Sequence, residues 1–145
     1  MSDRMLFLNL PVRDLPASLR FFEYLGFAFD PKFTDQSAGC MVLSESSFVM
    51  LLQRERFAEF AVKPLAEAKQ STAAMIAVSA PDRAGVDALC DAALAAGAAP
   101  AADPIDHGFM YGRSFFDLDG HHWEAVWMSP EAVETGPAEI AERAA

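Results

Sequence analysis

The sequence predicts an α+β fold made of two successive βαβββ modules, and three observations carry the prediction. One order of elements occurs twice: a strand-like run, a helix opened by aspartate and closed by glycine, another strand, then a hairpin. The punctuation recurs with it, Asp14 and Gly26 in the first half matching Asp82 and Gly97 in the second. The 145 residues are 52% apolar and 22% charged, the make-up of a globular chain with a real core. A chance α+β arrangement of the same elements is the alternative.

Met5 to Val12 (MLFLNLPV) is an apolar run stopped by proline, as expected of a strand. Asp14 is placed to cap a helix whose stripe is Leu15, Leu19, Phe22 and Leu25, with Gly26 where a left-handed residue belongs. Phe27 to Phe33 reads as a strand, and Cys40–Leu43 and Phe48–Leu52 form a hairpin around Ser44-Glu45-Ser46-Ser47. Arg54 to Lys69, polar and containing Pro64, reads as a helical connector. The second half repeats the plan with a strand at Ala73–Ala80, a cap at Asp82 and a stripe of Val86, Leu89, Cys90, Ala93 and Leu94. A weak strand at Ala99–Ala102, then Phe109–Phe116, a turn at Asp117–Gly120 and a strand at His121–Met128 complete it. The modules therefore span about 4–53 and 72–129, joined by 54–71, as one domain over 4–129; the Ala- and Glu-rich stretch 130–145 is a tail without recognisable chemistry.

A net charge of −10 and a pI near 4.6 argue against nucleic acid, which requires clustered Lys and Arg. Cys40 and Cys90 fall in apolar runs without metal-type spacing and read as buried thiols. No run approaches the roughly 20 apolar residues of a membrane span, and MSDRMLFLNLPV has neither basic leader nor cleavage site. The expectation is a cytoplasmic protein.

PVRDLPASLRFFEYLGF near the start and YGRSFFDLDGHHWEAVWM near the end resemble the vicinal oxygen chelate superfamily, which includes glyoxalase I, extradiol dioxygenases, fosfomycin-resistance enzymes and bleomycin-binding proteins. The likeness covers about residues 4 to 129, and Asp-x-Asp-Gly followed four residues later by Glu is its more specific half. It implies paired modules curled into a cup-shaped mixed sheet, frequent dimers, and often a metal held by the first and last strands of each module. Those ligand positions fall on Phe7, near Met50, near Met75 and on Glu124. A phenyl ring cannot bind a hard divalent ion and a thioether does so poorly. Both the Lewis-acid chemistry of glyoxalase I and extradiol cleavage are therefore in doubt here, and no cofactor is expected, although a divalent metal held by substitute ligands stays possible.

Glu124 is the candidate catalytic residue, since a carboxylate in an apolar run is costly without a partner. It reads as a former ligand, a general base or a polar anchor for a bound molecule; the alternative is a carboxylate bonded to neighbouring groups. Candidate binding residues are Phe7, Asn9, Met50, Met75, Tyr111, Arg113 and Glu124, with Tyr111, Arg113, Asn9 and His122 expected to compensate the Glu124 charge. His122 and Glu124 share a strand face, so a substitute metal site of Glu124, His122 and His107 is conceivable. Filled core is the plain reading of the apolar positions, and hydrogen-bonded surface groups that of the histidines, Arg113 and Asn9.

Two functions follow. The favoured one is a protein that takes a small, partly apolar molecule into the cup without a metal, as a homodimer. The alternative is a metal-dependent lyase or dioxygenase of the glyoxalase I type built around Glu124. Sequestration of a cationic antibiotic is a weaker third.

Overall fold

A computed structural model describes residues 4–136. The chain divides into two compact units, Met1–Glu67 and Ala68–Ala145.

In the first unit β1 (Leu6–Val12) leads into α1 (Leu15–Tyr24), and β2 (Ala28–Phe29), β3 (Ala38–Val42), β4 (Ser47–Gln53) and α2 (Arg54–Phe60) follow. The sheet order is β1-β4-β3-β2, with β1 and β4 parallel and the other pairs antiparallel. Asp14 caps α1 as expected, its Oδ1 accepting from the Ala17 N–H at 3.1 Å. Leu15, Phe21 and Phe22 turn inward. The helix lies so close to the sheet at Gly39 that a Cβ there would stand 2.6 Å from Leu19 Cδ2.

In the second unit β5 (Met75–Ser79) leads into α3 (Arg83–Ala95), then β6 (Ala99–Pro100), β7 (Ile105–Asp106), β8 (Met110–Phe116), β9 (His122–Met128) and α4 (Pro130–Thr135). The order is β5-β9-β8-β6, with β7 also on β8 and β5 parallel to β9. Asp82 Oδ1 accepts from the Gly85 N–H at 2.7 Å, and Val86, Cys90 and Ala93 face inward. Each unit is thus a mixed sheet with its main helix on one face, and the α+β class stands.

Several boundaries differ from the sequence reading. The Phe27–Phe33 strand shrinks to two residues because Asp30 caps a 3-10 turn at Pro31–Phe33, its carboxylate accepting from the Lys32 N–H. The connector is helical only to Phe60, and the segment around Pro64 is not. The strand expected at Ala99–Ala102 ends at Pro100, and the short β7 was not foreseen. Within the tail, Ser129 caps α4, while residues 137–145 lie outside the described residues. No described helix is long and apolar enough to cross a membrane.

Candidate functional site

Strand alternation gives each sheet a helix-facing side and an open side. In the first unit Gly39 touches Leu19 of α1 and pairs with Leu51, so Leu10, Val12, Val49 and Leu51 face the helix. Phe7, Asn9, Met50 and Leu52 are left on the open side. Phe7, 51% exposed, stacks on Phe48 with ring centroids 5.1 Å apart. Asn9 pairs in register with Met50, and its amide donates to the Phe7 carbonyl at 3.3 Å. The structure therefore gathers Phe7, Asn9 and Met50 on one face, Phe7 and Asn9 as their spacing implies and Met50 through its register with Asn9. A cavity of about 380 Å³ adjoins Asn9, lined by Asn9, Leu52, Phe57, Phe60 and Ala61. Leu52 and the two α2 phenylalanines were not anticipated. Phe57 and Phe60 stand three apart on a short helix, a signal that could have been read as one apolar face.

In the second unit the open side carries Met75 and Ala77 from β5, His122, Glu124 and Val126 from β9, and Gly112, Ser114 and Phe116 from β8. Glu124 stands between Ala77 and Ser114, and Met75, 65% exposed, is the ladder partner of His122. Phe116 meets the His122 ring edge-on at 5.4 Å. The His122 Nε2 is buried and has no hydrogen-bond partner among the described residues. Glu124 likewise makes no hydrogen bond or ion pair with any described residue.

Two expectations fail here. Tyr111 and Arg113 do not compensate Glu124, because their parity on β8 puts them on the helix side. There the Tyr111 hydroxyl donates to Asp87 at 2.7 Å, and Arg113 Nη1 reaches Asp87 at 3.0 Å and Asp91 at 2.9 Å. The Tyr111 hydroxyl and then Arg113 hold the Asp87 carboxyl below its usual range. Arg83, paired with Asp106, lies over the Tyr111 ring at 4.6 Å. Asn9 donates to the Phe7 carbonyl within β1, and His122 Nε2 makes no bond to Glu124. The substitute metal trio fails as well. His107 is exposed at the far end of β8, which pairs Met110 with Met128 and Phe116 with His122. Seven residues of strand separate those ends, on the order of 20 Å.

The Asp-Leu-Asp-Gly segment forms the turn expected from the sequence, and Asp117 is the side chain that holds it. Asp117 is 6% exposed, and its Oδ1 accepts from the backbone N–H groups of Asp119 at 2.9 Å and His121 at 3.0 Å. Its Oδ2 accepts from Trp123 Nε1 at 2.9 Å. Burial pushes the Asp117 carboxyl up, against the pull of His121 and these donors. Gly120, at φ 91°, completes the turn, and a Cβ there would stand 2.9 Å from the backbone of Lys69.

The residues at the family's ligand positions do not fit a divalent metal. Phe7, Met50 and Met75 offer a ring and two thioethers, leaving Glu124 as the one hard donor. Among the described residues no group of three or more His, Cys, Asp and Glu is placed to hold an ion.

Mixed sheets of this order, each with one capped helix behind it, define a protein of paired βαβββ modules. The chain belongs to the Glyoxalase/Bleomycin resistance protein/Dioxygenase superfamily, whose family model matches residues 4–125. Among solved structures it is similar to the hypothetical protein SA1046 from S. aureus, at 28% identity and TM-score 0.73 over 88% of this chain and 94% of that one. A family enzyme from Burkholderia phytofirmans PsJN matches at 16% identity and TM-score 0.71, over 87% of this chain and 99% of that one. The fosfomycin resistance protein FosX from Mesorhizobium loti matches at 18% identity and TM-score 0.61, over 93% of this chain and 98% of that one. The last two likenesses show the fold alone. No curated protein matches the chain.

Proposed function

We propose that this member of the superfamily binds a small, partly apolar molecule on the open side of its sheets, without a divalent metal. The observation that carries the proposal is Glu124, a carboxylate with no described protein partner on a face whose other members include Met75, Ala77, Val126 and Phe116. A partly exposed carboxylate on a largely apolar face matches the usual form of a small-molecule site, a mostly apolar surface with a few polar groups. The first unit, taken by itself, carries a cavity of about 380 Å³ beside Asn9, Leu52 and Phe57, within the common range for such ligands. On the face of Glu124, Met75 suits the reading too, because an unbranched thioether chain adapts to differently shaped partners. Edge strands β1 and β5 motivate a homodimer as part of the proposal, which light scattering would test.

The binding test is a thermal-shift screen of small aromatic and aliphatic compounds, each carrying one polar group, against wild type. The expected result is a subset that raises the melting temperature in a concentration-dependent way. If no compound of any charge does so at millimolar concentration, the proposal is wrong.

A further inference from the structure

We infer that His122 and Glu124 together form a two-acceptor site for a cationic N–H group of the bound molecule, a primary ammonium or an amidinium. The inference rests on the binding proposal and adds the charge and hydrogen-bonding sense of the ligand.

The two side chains lie on one face of β9, two residues apart and so roughly 6.6 Å between their Cα atoms. A carboxylate only accepts hydrogen bonds. A proton on Nε2 would be a buried donor without an acceptor among the described residues, although Glu124 stands two positions along the same face. Two acceptors side by side would leave this gap. The tautomer that fits has the proton on Nδ1, whose nitrogen is not among the buried unpartnered atoms, and the lone pair on Nε2. Nε2 is then a buried acceptor without a donor, a state that polar groups inside proteins seldom keep.

Charge points the same way. Among the described residues the cations of this unit are Lys69, Arg83 and Arg113. Arg83 and Arg113 are paired on the helix side with Asp106, Asp87 and Asp91. Lys69 lies with its backbone against Gly120 and forms no ion pair with Glu124. Nothing described on the open face would attract an anion, and Glu124 would repel one. An ammonium carries three donors and an amidinium more, so either can serve Glu124 and His122 at once. The ladder neighbours of His122 on this face are the side chains of Met75 and Phe116. Met75 is 65% exposed and unbranched, so this edge of the face can adapt to a ligand.

The test has two parts on the full chain. Long-range proton–nitrogen NMR of the free protein reads the His122 tautomer, and the expected result is a proton on Nδ1 alone. Phenethylamine, 2-phenylethanol and 3-phenylpropionate, which share an aryl-ethyl body, are then titrated with shifts followed at β9. The amine should bind at least about tenfold more tightly than the alcohol, and the carboxylate not measurably. Glu124→Gln should remove the preference of amine over alcohol, and His122→Phe, which keeps an aromatic ring, should reduce it. A proton on Nε2, or binding indifferent to charge and to Glu124→Gln, would overturn the two-acceptor site and leave small-molecule binding standing. Stoichiometric Mn²⁺ broadening centred on His122 and Glu124 would overturn it in favour of a metal. Silence from all three probes at β9, with hits in the thermal screen, would overturn this site alone; silence in both would overturn the binding proposal too.

Discussion

Replacing Gly120 by alanine tests whether the Asp117–Gly120 turn is held by contact with the preceding segment or only by its own conformation. Gly120 has φ 91°, where an L side chain is strained by about 1–2 kcal/mol. The new methyl would also stand 2.9 Å from Lys69 N, Cα and Cγ. Two of those atoms are backbone and cannot rotate away, so the segment must shift, a penalty of about 1–3 kcal/mol for overpacking. The expected total is about 2–5 kcal/mol. Gly26 supplies the control, because it has φ 103° with nothing within 4 Å of its would-be Cβ. Gly26→Ala should therefore cost only the strain, about 1–2 kcal/mol. For a chain of 145 residues this corresponds to melting temperatures lowered by roughly 6–15 °C at Gly120 and 3–6 °C at Gly26. Urea titrations of both variants, with m-values compared, check that a single unfolding transition is being read. Equal losses at the two glycines would refute the contact with Lys69 as the source of the extra cost.

Three further outcomes are expected. Asp117→Asn should destabilise by about 1–3 kcal/mol, because its amide would point N–H at the Trp123 N–H or at two backbone N–H groups. With the folded carboxyl raised above 3.8, wild-type stability owed to Asp117 is greatest below that value and falls as pH rises through the folded pKa. The difference between wild type and Asp117→Asn should follow that course in denaturation across the acid range. Tyr111→Phe should let the Asp87 carboxyl return toward its ordinary value, as read by NMR titration. Since a lowered Asp87 contributes stability above 3.8 that is lost as pH falls through its folded pKa, the variant should also unfold in acid at a higher pH. Dialysis of purified protein against a chelator should leave the melting temperature unchanged, and a fall that is restored by a divalent ion would refute the metal-free reading.

The backbone plan was legible because its signals are local. Asp14, Gly26, Asp82 and Gly97 act within one helical turn of themselves, and the caps at Asp14 and Asp82 formed as read. The apolar stripes needed only a period. Asp30 misled because it, too, caps: its carboxylate captured the Lys32 N–H and ended a strand that hydropathy would have continued. The site was legible by face and not by partner. Alternation put His122 with Glu124 correctly, and the same rule applied across the β8–β9 register would have sent Tyr111 and Arg113 away from Glu124. That register was not available from sequence. The pull of Asp87 and Asp91 was also invisible, since those residues lie more than twenty positions away and read as an ordinary polar helix face.

The turn that looks purely structural is also what selects the site. In β9 consecutive side chains alternate between two tasks: Trp123 and Ala125 are buried on the helix side, while His122 and Glu124 face the open side. A shift of one residue against β8 would exchange the two sets, placing a carboxylate in the core and a tryptophan on the open face. Such a slip is prevented by Asp117, which ties Trp123 Nε1 to the turn through the same carboxylate that orders the His121 backbone. Gly120 closes that turn against Lys69. The family signature and the candidate site are therefore one mechanical unit, in which Asp117 fixes the register and Glu124 inherits its orientation from it. A change at Glu124 touches none of the hydrogen bonds that Asp117 makes, so the open side of β9 can vary while the turn holds the strand in place.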